Sequence, residues 1–117
     1  MDGDNNDNGE TPLYVASRNG DVDLVRLLID VEALINQADE DGVTPLFMAS
    51  HEGQVVVVRL LIDAGALINQ AKKNGVTPLW MASQNGHVDV VRLLIDGGAT
   101  VKIDILMRYT QKKPIYS

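Results

Sequence analysis

The sequence predicts an all-α solenoid, in which helix-turn-helix pairs stack on one another and are joined by hairpin-like loops. The triplet Thr-Pro-Leu recurs every 33 residues, at positions 11–13, 44–46 and 77–79. Residues 42–66 and 75–99 are identical at 19 of 25 aligned positions, and residues 9–33 match 42–66 at 15 of them. A period of this length with motifs in register is typical of repeat proteins, in which stacking of neighbouring units forms the core.

The first helix of each pair is expected to begin at the Thr-Pro step. Thr44 suits the N-cap because its hydroxyl can accept a backbone N–H, and Pro45 suits the first helical position because the proline needs no hydrogen-bond donor there. The helix is expected to end at Gly53, since glycine readily adopts the left-handed conformation that closes a helix.

The second helix is predicted over residues 55–63. Its side chains are apolar on nearly every side except at Arg59 and Asp63, and such a helix must be covered by neighbours. Arg59 and Asp63 are four residues apart, as are the corresponding residues of the other two repeats. This repeated pair predicts a solvent-facing ridge.

Tight turns and one series of aromatic residues complete the period. The dipeptides Asn-Gly or Asp-Gly at 8–9, 41–42 and 74–75 tolerate positive φ and predict the tips of the connecting loops. Tyr14, Phe47 and Trp80 occupy one phase of the repeat, which predicts that they pack between neighbouring repeats. The alternative is partial exposure along the edge of a groove.

These motifs resemble the ankyrin repeat family. The T-P-L, A-S, G-x-V-x-V-V and L-L-x-x-G-A-x-x-N stretches are in register over residues 6–104. The resemblance implies an ankyrin-repeat solenoid with repeats at 9–41, 42–74 and 75–103, an acidic leader at 1–8 and a C-terminal tail at 104–117. The family usually has a histidine after T-P-L that links the backbones of neighbouring repeats. Aromatic residues stand there in this chain, so we expect packing to replace that hydrogen bond.

The ends of the array are expected to differ in their covering. The first repeat carries the same apolar second helix as the others, with only a polar leader before it. This predicts an uncapped end, and therefore a marginal monomer, a weak homo-oligomer or a fragment of a longer array. At the other end, residues 104–111 are expected to form a capping helix that lays Ile105, Leu106 and Tyr109 on the third repeat.

Composition and motifs argue against several classes of function. The net charge of −6 disfavours nucleic-acid binding, no apolar run is long enough to span a bilayer, and the absence of cysteine excludes thiolate chemistry. Asp4-x-Asn6-x-Asn8-Gly9 matches only half of a calcium loop, and His51-Glu52 lacks the second histidine of a zinc protease. We therefore expect a cytoplasmic protein that is not an enzyme and needs no cofactor.

The resemblance implies a non-catalytic protein-protein interaction module that binds on its concave face, formed by the loop tips and the first helix of each pair. Carried onto this chain, the tip positions are Asp7, Asn8, Glu10, Glu40, Asp41, Val43, Lys73, Asn74 and Val76. The helix positions are Arg18, Asn19, His51, Glu52, Gln84 and Asn85. These positions are among those where the repeats differ, which also fits neutral drift of a surface. The alternative function is a structural or engineered array without a dedicated partner, or one that self-associates through the uncapped end.

Overall fold

The computed structural model describes residues 8–31 and 33–101, and this part of the chain contains six α-helices and no strand. The helices are α1 (Pro12–Asn19), α2 (Val22–Asp30), α3 (Pro45–Glu52), α4 (Val55–Asp63), α5 (Pro78–Gln84) and α6 (Val88–Asp96). They form three antiparallel pairs, one for each period of the sequence. The predicted all-α stack of helix-turn-helix repeats is therefore confirmed.

Capping residues set the ends of the first helices as the sequence predicts. The Thr44 hydroxyl accepts a hydrogen bond from the Phe47 backbone N–H at 3.1 Å, and Thr11 and Thr77 cap α1 and α5 in the same way. Gly53 closes α3 at a φ of 73°, in the left-handed region. The helix α4 begins and ends at the residues that the pattern predicts.

The helices lie in two rows that share one core. One row consists of α1, α3 and α5, the other of α2, α4 and α6, and the two helices of each pair also pack on each other. Small aliphatic side chains such as Ala49, Val58 and Leu61 fill the space between the rows and are fully buried. The core is therefore continuous along the stack.

The aromatic series packs between repeats at two of its three positions. Tyr14 and Phe47 are buried and form a second apolar cluster with Val43. Trp80 is only half-buried, because the described residues place no further repeat beyond it. Packing between repeats is thus found for Tyr14 and Phe47, while Trp80 shows the partial exposure named as the alternative.

Hydrogen bonds also join neighbouring repeats. Across the first junction, Gln54 Nε2 donates to the Arg18 carbonyl at 2.9 Å, and the Asn36 side chain accepts from the Leu67 N–H at 2.9 Å. Across the second junction, His87 Nε2 lies 2.9 Å from the His51 carbonyl oxygen. The structure therefore corrects the expectation that packing alone replaces the family's histidine, because side chains at other positions supply the bonds.

The charged ridge of the second helices is exposed as predicted. Arg59 and Asp63 both face solvent, and the ion pairs found within residues 8–31 and 33–101 do not include them. The predictions for the leader up to Asp7 and for the capping helix at 104–111 fall on residues outside the described part. Within that part, no helix has the length and apolar character needed to cross a membrane.

Candidate functional site

The loop tip between α2 and α3 is held by a dense set of hydrogen bonds. The Asp39 N–H donates to the Val43 carbonyl at 2.9 Å, and the Gly42 N–H donates back to the Asp39 carbonyl at 3.0 Å. The Asp39 carboxylate accepts from the N–H groups of Asp41 and Val43, both at 2.9 Å. Gly42 makes the turn at a φ of 84°, a conformation that costs glycine little. The tip is thus fixed, and it presents Glu40 and Asp41 to solvent.

A cavity of about 330 Å³ lies between the loop tips and the first helices, centred on α1 and α3. Residues from all three repeats contribute to its wall. The lining residues are Asn8, Glu10, Tyr14, Asp39, Glu40, Asp41, Val43, Phe47, Met48, His51, Lys72 and Met81. We call this cavity the tip-helix groove.

The floor of the tip-helix groove is apolar and aromatic. Tyr14 and Phe47 are buried, and Met48 and Met81 pack against them. Burial raises the pKa of Tyr14 above its ordinary value, and a hydrogen bond from its hydroxyl to the Asp39 carboxylate raises it further. Tyr14 is therefore neutral, and its hydrogen bond to Asp39 holds the loop tip between α2 and α3 against the floor of the groove.

The rim of the groove carries more acidic than basic side chains. Among the described residues, its wall carries four carboxylates, those of Glu10, Asp39, Glu40 and Asp41, and one lysine, Lys72. The Lys72 ammonium lies 5.7 Å from the centre of the Phe47 ring, within the range of a cation–π contact. Negative charge therefore dominates this part of the rim, and the Lys72 ammonium lies over the aromatic floor.

Beside the groove, a short network fixes Arg18. Its guanidinium lies 3.4 Å from the Glu10 carboxylate and 5.9 Å from the centre of the Tyr14 ring. Both partners line the groove. Arg18 therefore positions Glu10 and covers Tyr14, although Arg18 itself is not part of the cavity wall.

The structure brings together six of the fifteen positions that the sequence proposes for partner binding: Asn8, Glu10, Glu40, Asp41, Val43 and His51. Asp7 lies outside the described residues. Val43 is only 7% exposed, because its side chain packs against Tyr14 and Phe47. It contributes to the wall of the groove but offers little surface to a partner.

The other eight residues lie outside the groove, and several of them have structural roles. Asn85 donates to the His51 carbonyl at 3.0 Å, and the Lys73 N–H donates to the Asp41 carbonyl at 2.8 Å, so both join repeats. Asn74 accepts from the Val76 N–H at 3.1 Å within its own tip. The remaining side chains at the ends of the first helices are exposed (Asn19, Glu52 and Gln84) or half-buried (Arg18).

Several residues of the groove are not among the positions predicted from the sequence. Asp39 and Lys72 stand 33 residues apart, as do Met48 and Met81. In the first of these pairs, an acid in one repeat is replaced by a base in the next. That difference between repeats is a sequence signal that could have placed Asp39 and Lys72 in the site. The second pair is the same residue type at one phase of the repeat, so variation between repeats does not single out either methionine.

Comparison with known families agrees with this architecture. The family model described as "Ankyrin repeats (3 copies)" matches residues 1–72 and 31–107. The chain therefore belongs to the ankyrin repeat family, whose members are generally protein-interaction modules and generally not enzymes. A comparison with the curated proteins found no relative of this chain.

Proposed function

We propose that this chain binds a protein partner by accepting one segment of it in the tip-helix groove. The observation that carries the proposal is the combination of an apolar, aromatic floor with an acidic rim in one cavity. Protein-binding sites gain most of their energy from a few well-placed apolar or aromatic anchors, while charge on the rim sets orientation and specificity.

The chemistry of the groove favours a segment that carries an arginine or a lysine. The aliphatic stem of such a side chain suits the surface offered by Met48 and Met81, and its charged group suits the carboxylates of Glu40 and Asp41. Lys72, which also lines the groove, favours an acidic or carbonyl-bearing group in the same segment. The preferred segment therefore carries a basic residue that faces Glu40 and Asp41 and an acidic or carbonyl group that faces Lys72.

A randomised peptide library displayed on phage tests this proposal. Selection on the wild-type chain is expected to enrich peptides in which an arginine or lysine stands next to apolar residues. A selected peptide is then labelled, and its affinity is measured by fluorescence anisotropy. The affinity should fall as the salt concentration rises, since screening weakens attraction between exposed charges.

A matched pair of double variants separates the groove from overall charge. Glu40→Lys/Asp41→Lys reverses the rim of the groove, while Asp63→Lys/Asp96→Lys makes the same change in net charge at exposed positions on α4 and α6. The first variant should bind the selected peptide at least tenfold more weakly than wild type, a loss of about 1.4 kcal/mol, and the second should bind it nearly as well. Equal losses in both variants would contradict the assignment of the groove.

The structural array without a dedicated partner is the second candidate. It is favoured by the 19 identities in 25 positions between the second and third repeats, since consensus-like repeats fold well without any selection for binding. Failure of the library to enrich any motif on the wild-type chain would support this candidate against the groove.

A further inference from the structure

The face of the first repeat that points away from the stack is apolar and uncovered by the described residues. On α2, Leu24 is 38% exposed and Leu27 is 56% exposed. The residues at the position of Leu24 in the next two repeats, Val57 and Val90, are 1% and 0% exposed. The surface of α2 around Leu24 is thus exposed, whereas the equivalent surfaces of α4 and α6 are buried.

The opposite face of the stack, on α6, shows the complementary pattern. Ile95 is 42% exposed and Val88 is 49% exposed. At the same positions of the preceding repeat, Ile62 and Val55 are half-buried. Among the described residues, each end of the stack therefore exposes one half of a contact that both internal junctions complete. End-to-end stacking is the alternative to the capping helix expected at 104–111, which would cover the half on α6.

The internal junctions show how the two halves fit. Ile29 of α2 lines a small cavity together with Leu60 of α4 and with Ala64, the residue after α4. One repeat further on, Ile62 of α4 lines an equivalent cavity with Leu93 of α6 and with Gly97, the residue after α6. The isoleucine of one repeat thus meets the leucine of the next, and the exposed Ile95 and Leu27 are the same two residue types at the same two positions.

We propose that a second copy of this chain stacks end to end on the first, so that α6 of one copy contacts α2 of the next. The contact repeats an interface that the chain already makes twice, with Ile95 of one copy against Leu27 of the other. Charge supports the same arrangement. Arg26 and Asp63 line one cavity at the first junction, and Arg92 of one copy meets Asp30 of the next in the corresponding place.

The contact between copies is weaker than an internal junction. Val31 stands where Ala64 and Gly97 stand in the other repeats. A Cβ atom at Gly97 would lie 2.8 Å from Ile68 Cδ1 and 3.2 Å from Ile62 Cγ2, so this helix end has little room. The larger Val31 keeps the two copies further apart at that end. Self-association is therefore expected only at high protein concentration.

Sedimentation equilibrium of the full chain across a concentration series tests the proposal. The average mass of wild type is expected to rise with concentration. Leu27→Glu should abolish the rise, whereas Leu67→Glu should leave it unchanged. Leu67 is a matched control because it is 57% exposed, and its equivalent Leu34 is also exposed, so stacking covers neither. A wild-type chain that stays monomeric throughout, or equal effects of the two variants, would overturn the proposal.

Mixing two variants fixes the direction of stacking. Ile95→Glu should also be monomeric, since it damages the other half of the contact. An equimolar mixture of Leu27→Glu and Ile95→Glu should restore a complex that stops at two chains, because each variant keeps the half that the other has lost. A symmetric contact through α2 alone predicts instead that Ile95→Glu self-associates and that mixing restores nothing, which would overturn end-to-end stacking. None of these substituted residues lines the tip-helix groove. The peptide-binding experiment and the self-association experiment therefore test the two proposals independently.

Discussion

His87 Nε2 lies 2.9 Å from the carbonyl oxygen of His51, at the end of α3. A carbonyl only accepts, so this ring nitrogen carries the proton, and the bond joins the third repeat to the second. Gln54, 33 residues earlier, donates to the Arg18 carbonyl at the same distance. Two different side chains therefore make the same junction at the same phase of the repeat.

Removing the His87 side chain is expected to loosen the second junction. His87→Ala should lower the free energy of unfolding by about 1 kcal/mol, the usual net contribution of one hydrogen bond, as measured by urea denaturation. His87→Gln should recover most of the loss, because glutamine makes the equivalent bond at position 54. A glutamine variant as unstable as the alanine variant would show that the bond is not what stabilises the junction.

Gly53 is expected to tolerate alanine poorly, and Gly86 provides its control. Both glycines have positive φ, at 73° and 75°, so alanine pays a similar backbone cost of about 1 kcal/mol at each position. A Cβ atom at Gly53 would also lie 2.7 Å from the His87 ring, whereas one at Gly86 meets nothing within 4 Å. Gly53→Ala should therefore unfold at clearly lower urea concentration than Gly86→Ala. Equal midpoints would contradict the close packing of His87 on Gly53.

Two buried hydroxyls near α3 predict opposite outcomes. The Thr44 hydroxyl caps the helix, and Thr44→Ala should cost about 1 kcal/mol of stability. The Ser50 hydroxyl is fully buried and finds no hydrogen-bond partner in the described part of the chain. Ser50→Ala should leave the free energy of unfolding unchanged or raise it, since it removes a polar group that lost its water on folding. Thermal unfolding of the two variants beside wild type decides between these outcomes.

Stability is expected to fall at high pH because of Tyr14. Burial and the bond to Asp39 raise its pKa above the ordinary value of 10.0, so the folded state keeps the phenol proton after the unfolded chain has lost it. The contribution of Tyr14 to the free energy of unfolding is fully present below pH 10. Above pH 10 it falls by up to about 1.4 kcal/mol for each pH unit. Tyr14→Phe should show a smaller fall between pH 9.5 and about 11, measured by urea unfolding at each pH. Identical slopes in the two proteins would exclude Tyr14 as the source.

The helices could be predicted from the sequence because each depends on signals within one period. Thr44, Pro45 and Gly53 set the ends of α3 by local geometry, and the apolar pattern of residues 55–63 defines α4. The same reasoning failed for the bonds between repeats. Whether Gln54 reaches the Arg18 carbonyl depends on the offset between stacked units, which no local pattern specifies.

The groove was only half predictable for a related reason. Variation between repeats pointed to Glu40, Asp41 and His51, which line the groove in the structure, and their role in binding stays a prediction. It passed over Tyr14 and Phe47, whose shared phase indicated packing. In the structure these two side chains are buried and also form the floor of the cavity. When a residue packs between repeats and also lines the groove, its pattern in the sequence indicates only the packing.

The most direct test of the proposed groove is a nuclear magnetic resonance titration of the ¹⁵N-labelled chain with a peptide selected from the library. Binding in the tip-helix groove is expected to shift the amide signals of Glu40, Phe47, His51 and Lys72 first and furthest. Signals of α4 and α6, such as those of Arg59 and Arg92, should stay in place. Shifts concentrated on those second helices, with the tips unchanged, would contradict binding in the tip-helix groove.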